Sequence, residues 1–71
     1  MSDRTYGLTE IVGTSTEGVD AAIGNGITRA SSTVRHLAWF EVTQVRGFVS
    51  EGDVHHFQVT MKLGFRMEDP Q

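Results

Sequence analysis

Few residues in this 71-residue chain could do chemistry, and most are spaced badly for it. Three histidines suggest metal binding. His55 and His56, however, are neighbours on what reads as a strand, so their side chains should point to opposite faces and not share an ion. His36 stands alone at a helix-to-strand junction. Solvated or hydrogen-bonded histidines account for all three, and no metal ligands are assigned. Cysteine is absent, which excludes thiolate zinc sites and disulfide staples. Serine and threonine are plentiful, yet none lies in a nucleophile-elbow context and no histidine–acid spacing stands out. Glu10, Glu41 and Glu51 form no paired acid and base. No catalytic group is assigned. The unusual residue is Trp39, the single tryptophan.

The elements that would position Trp39 follow from patterning. Tyr6 to Val12 reads as a first strand whose core-facing side the imperfect alternation leaves open. Gly13 should break it, and Thr14 or Ser15 should cap a helix, with Glu17 completing a capping box if Thr14 is the cap. Val19, Ala22, Ile23, Gly26, Ile27, Ala30 and Val34 then form one apolar stripe on a helix of about five turns. Gly24 and Gly26 read as close helix–sheet packing. A strand followed by Gly-x-Gly inside the helix is the wrong order for a dinucleotide fingerprint.

Leu37 to Val49 reads as a second strand and Val54 to Met67 as a third. Ser50-Glu51-Gly52-Asp53 is the hairpin turn between them. On the third strand, Phe57, Val59, Met61, Leu63, Phe65 and Met67 line one face, and His56, Gln58, Thr60, Lys62, Gly64 and Arg66 the other. Phe40 and Val42 continue the apolar face, but Val45 falls on the wrong parity. A bulge or bend near Gln44 would repair the phase. The expected fold class is α+β, a β-α-β-β chain whose three-stranded antiparallel sheet packs on one helix. A strand of some thirteen residues spans roughly 43 Å, whereas a twenty-residue helix covers roughly 30 Å. Other copies of the chain should cover the overhang.

A turn centred between Glu51 and Gly52 sets Trp39 opposite Gly64, Glu41 opposite Lys62, Thr43 opposite Thr60 and Val45 opposite Gln58. The indole then lies on the polar face, away from the helix. Two readings fit. Trp39 is an interface anchor, or it is a stacking platform for a flat aromatic ligand whose polar edge Gln58 would bond. At a two-fold axis both hold, because an indole there meets its own symmetry mate.

Composition narrows the partners. Six Lys+Arg against nine Asp+Glu leave a net charge of −3, with Lys62 the only lysine. That argues against a nucleic-acid backbone or an anionic membrane surface as the main partner. No apolar run spans a bilayer, and Met1-Ser2-Asp3-Arg4 lacks the apolar core of a signal peptide. The expectation is a cytoplasmic single domain over residues 1–71, ordered over 5–68, with the first residues and the tail from Glu68 to Gln71 dispensable. A domain this small buries only about 60% of its unfolded surface, so oligomerisation is the expected stabiliser.

Gly13-Thr14-Ser15, Gly18, the alanine-containing helix, Trp39-Phe40-Glu41-Val42, Arg46-Gly47, Phe57-Gln58-Val59 and Gly64-Phe65-Arg66 together resemble the dodecins. The resemblance covers residues 5–68. It implies a hollow dodecamer of cubic (tetrahedral) symmetry, with flavins paired at two-fold axes between symmetry-related tryptophans. Trp39 would stack on the isoalloxazine and Gln58 would bond its polar edge. The wording around Trp39 is similar to the bacterial branch, which implies flavin mononucleotide (FMN) as ligand, with riboflavin the alternative, and an association of coenzyme A with the three-fold contacts. Arg46 and Arg66 are the cations available to a flavin phosphate. Arg66 ranks first because it shares strand parity with Gln58. The implied function is flavin storage and sequestration, with photochemistry quenched by the tryptophan, and not catalysis. The alternatives are a flavin-dependent enzyme and a structural oligomer anchored by Trp39.

Overall fold

The computed structural model describes residues 3–68. Residues 1–2 and 69–71, read above as dispensable, lie outside the described residues. Strand β1 (Tyr6–Ser15), helix α1 (Val19–Ser31), strand β2 (Leu37–Ser50) and strand β3 (Asp53–Arg66) follow in that order. They build one antiparallel sheet in the order β1-β3-β2. The β-α-β-β architecture is the expected one.

Two expectations about β1 and α1 fail. β1 does not stop at Gly13, because Thr14 pairs with Gln58 and Ser15 with Phe57, which holds both residues extended. Neither Thr14 nor Ser15 therefore caps the helix. The N-cap is Gly18, with no side-chain bond, and Ser15 Oγ instead accepts from the Glu17 N–H at 2.9 Å. The helix is 13 residues long, not about five turns. Val34 lies beyond it, in a turn where the Ala30 carbonyl accepts from Thr33 N at 3.0 Å and Val34 N at 2.8 Å.

The odd-numbered residues of β1 and β3 face α1. Val59, Met61 and Leu63 are fully buried, with Ala22 and Ala30 from the helix, and Ile11, Val19, Ile23, Ile27 and Leu37 pack around them. Gly13 is part of this contact. A Cβ there would strike the Ala22 carbonyl, while a Cβ on Gly26 would come within 3.3 Å of the Gly13 Cα. The backbones of helix and strand touch, which is the packing read from Gly26. Gly24 does not take part; a Cβ there would meet open space.

α1 lies across β1 and β3 and leaves β2 almost bare. At about 1.5 Å per residue it covers about 20 Å, against about 46 Å for a 14-residue strand. The chain is a slab of 56 × 20 × 13 Å with a radius of gyration of 15.0 Å; a compact domain of this length would have about 11 Å.

The hairpin turn has φ 52° at Glu51 and 85° at Gly52, the positive pair that suits the right-handed strand twist. Beyond it the ladder is irregular in three places, at Phe48/Val49, Val42/Gln44 and Leu37/Trp39. The middle shift is the bulge expected near Gln44, with Thr43 as the extra residue. Its hydroxyl donates to the Thr60 carbonyl at 3.2 Å. The expected pairs Trp39–Gly64 and Glu41–Lys62 stand. Thr43–Thr60 and Val45–Gln58 do not. Gln44 pairs with Thr60, Val45 with Val59 and Arg46 with Gln58, because a further bulge at His55 displaces the register between the two irregularities by one residue.

Candidate functional site

The sheet face away from α1 carries the candidate residues. Trp39 lies there, and its indole occupies the space a Gly64 side chain would need: the Cβ would collide with Cε2, Cζ2 and Cδ2 of the ring. Gly64 is thus the seat of the tryptophan, a role the sequence reading missed. The available signal was a glycine interrupting an otherwise well-patterned strand, which marks a close approach. Leu8 flanks Gly64 on the β1 side, so the ring rests at the end of the row Trp39–Gly64–Leu8. It remains 44% exposed. The next row along the face is Glu41–Lys62–Glu10, a cation between two carboxylates.

Gln58 is on the same face but not in the same place. It lies six residues along β3 from Gly64, about 20 Å at about 3.3–3.4 Å per residue. One chain therefore does not bring Trp39 and Gln58 together; they are farther apart than a three-ring aromatic system is long. The cleft beside the indole, lined by Ile27, Leu37, Ala38, Trp39 and Phe40, holds only about 150 Å³, below the size of small-molecule pockets. A ligand that meets both residues must do so between two copies.

Arg66 keeps its strand parity with Gln58, but parity does not make the two neighbours. The bulges put Arg46 directly opposite Gln58, with its Nη2 donating to Gln44 Oε1 at 2.9 Å. Arg66 is at the other end of the strand, nearer Trp39. Its Nη2 donates to His36 Nδ1 at 3.4 Å, and the His36 Nε2 lies 3.2 Å from Glu68 Oε2. These contacts select the tautomer with the proton on Nε2. Arg35 Nη2 lies 3.1 Å from the same carboxylate oxygen. Glu68 thus belongs to a cluster that fixes His36, which has φ 64°, and does not behave as a dispensable tail residue.

The histidine reading also needs correction. His55 and His56 do not point to opposite faces; their Nδ1 atoms are 3.3 Å apart. His55 is the extra residue of a bulge opposite Phe48 and Val49, and a bulge suspends the two-residue alternation on which the expectation rested.

A thin sheet covered on one half by a short helix, with an exposed indole laid on a glycine seat, defines a small α+β protein with an uncovered apolar strip along β2. Comparison with known proteins identifies its family. Residues 5–68 match the Dodecin family model. The dodecin of Thermus thermophilus is 47% identical over 66 residues, covering 93% of this chain and 96% of that one. The dodecin of Streptomyces davaonensis superposes with a TM-score of 0.91 at 59% identity, over 96% of this chain and all of the other. That of Streptomyces coelicolor gives 0.91 at 60% identity, over 99% of this chain and all of the other. The chain belongs to the dodecin family.

Proposed function

We propose that this protein is a flavin-sequestering dodecamer that stacks flavin pairs between Trp39 residues of two-fold-related copies, and that it is not an enzyme. The observation that carries this reading is the separation of Trp39 from Gln58 on one exposed sheet face. An isoalloxazine stacked on Trp39 of one chain would reach the Gln58 amide of another, whose carbonyl and NH₂ match the alternating acceptors and donors of the flavin pyrimidine edge. FMN is the proposed ligand. Arg46 ranks ahead of Arg66 for its phosphate because it stands directly opposite Gln58 on the neighbouring strand.

The reading is consistent with the lack of an acid–base or nucleophile constellation in the sequence. Indoles close to an excited flavin quench it by electron transfer, and flavins stacked in pairs leave little room for a substrate. Membrane attachment is not part of the reading: no helix among the described residues is long and apolar enough to cross a bilayer.

The test is a titration with FMN and with riboflavin, followed by flavin fluorescence, with particle size measured in parallel. Wild type should quench strongly. Trp39→Ala removes a stacking face worth about 0.5–1.5 kcal/mol beyond its buried area. Symmetry removes it twice, so binding should weaken roughly 5- to 150-fold in an intact particle. Arg46→Ala should weaken FMN more than riboflavin, and Arg66→Ala should not. Unchanged affinity in an intact Trp39→Ala particle refutes the stacking role, and dissociation of that particle establishes Trp39 as an interface anchor. Sustained turnover of nicotinamide donors above free flavin would replace sequestration with the enzyme reading.

A further inference from the structure

From the bulge at His55, we infer that His55 and His56 form a two-imidazole site for a late first-row divalent metal, Cu(II), Ni(II) or Zn(II). The two Nδ1 atoms are 3.3 Å apart, with ring planes at 68°. At that distance one Nδ1 can donate a hydrogen bond to the other, or both can offer their lone pairs to one ion. Metal–nitrogen bonds of about 2.0–2.1 Å meeting at a tetrahedral angle put their two nitrogens about 3.3–3.4 Å apart. The observed spacing already matches two ligands on a tetrahedral ion such as Zn(II). The roughly 90° angle preferred by Cu(II) needs the nitrogens only about 0.4 Å closer. On binding, the ring that carries its proton on Nδ1 shifts it to Nε2.

Two further features prepare the pair. Phe48, the register partner of His56, packs against that ring with centroids 4.3 Å apart at 59°, which restricts the orientation of one ligand before any metal arrives. The bulge is bounded by the ladder pairs Phe48–His56 and Val49–Val54, which limit how far the backbone on either side of His55 can move. Pre-positioned ligands lose less freedom on binding.

The donor set selects the metal. Imidazole suits copper, nickel and zinc, whereas calcium and magnesium take oxygen ligands. Among the described residues, no group of three or more His, Cys, Asp or Glu side chains comes together, so the ion would keep water in its remaining positions. An open, two-nitrogen site of this kind should follow the general affinity order, with Cu(II) held more tightly than Ni(II) or Zn(II).

The experiment uses the assembled protein, stripped with a chelator and free of flavin, titrated with Cu(II). We expect one ion per chain and an electron paramagnetic resonance spectrum with two imidazole nitrogens. Ca(II) should not compete. His55→Ala and His56→Ala should each weaken binding by at least roughly the 10- to 100-fold that loss of an outer hydrogen-bond partner costs a metal site, and each should leave at most one nitrogen in the spectrum. His36→Ala should match wild type. The inference is overturned if either variant binds as tightly as wild type, or if the wild-type spectrum shows fewer than two nitrogens. Flavin titration of the same variants keeps the outcome separate from the flavin reading, since His56 is only two residues from Gln58.

Discussion

β3 and β2 carry the same kind of apolar pattern and meet opposite fates. Val59, Met61 and Leu63 of β3 are fully buried, whereas their register partners Val45, Val42 and Phe40 stay 52%, 38% and 46% exposed. Paired residues share a face and lie about 5 Å apart, so the core ends within one strand spacing. The difference is not in the residues but in what lies above them. α1 covers β1 and β3 and reaches β2 only at the start of that strand, where Leu37 packs on the core and Ile27 borders the cleft beside Phe40. Apolar alternation states which face will be buried; it does not state which chain buries it. An apolar strip of this extent is characteristic of a surface made for another protein, and the proposed assembly supplies other copies for it.

The largest effect should come from charging the bare strand. Val45→Asp places a carboxylate on the uncovered apolar face without touching the core, and sedimentation should show the assembly reduced to small species. An intact particle would mean that β2 faces solvent in the assembly and would remove the contrast. Next, Met61→Ala should destabilise the protein by about 2–5 kcal/mol in urea unfolding, as for a fully buried side chain. Its partner Val42 provides the internal comparison: Val42→Ala should cost clearly less in any monomer but approach buried-residue values in the assembly.

Smaller changes probe the glycines. Gly13→Ala forces a methyl group into the Ala22 carbonyl and should cost about 1–3 kcal/mol, as overpacked sites do. Gly64→Ala strikes the indole instead. Trp39 should then leave its seat, with a shift in tryptophan fluorescence and loss of ligand stacking but little change in the unfolding midpoint. The smallest effect is a gain. Gly24→Ala adds a methyl group in open space on a helix and should stabilise by about 1 kcal/mol; a loss would locate a neighbouring copy against that face.

Much of the arrangement was legible because β3 alternates without interruption from Phe57 to Phe65. That pattern assigned the buried face, and the Glu51-Gly52 turn then placed Trp39 opposite Gly64 on the other one. The reading failed wherever alternation was assumed to continue through an irregular backbone. Thr14 and Ser15 look like helix caps, yet ten consecutive pairs with β3 keep β1 extended through both of them. Local capping is worth about 1 kcal/mol, and a continued ladder outweighs it. Val45 needed a bulge to return to the apolar face, and that bulge was foreseen. The second one, at His55, was not, because two adjacent histidines contain no signal that separates a bulge from a regular strand.

By itself the sequence determined the order β-α-β-β, the face that turns away from water, and the presence of one tryptophan on the opposite face. These follow from local periodicity and turn chemistry, which act between residues close along the chain. Only the tertiary structure decided how far the helix reaches, that the Trp39 indole rests on Gly64, that Arg46 pairs with Gln58, and that His55 meets His56. Each depends on how one strand registers against another. A single inserted residue reverses every side chain beyond it, and the energy that selects the insertion comes from contacts far apart in sequence.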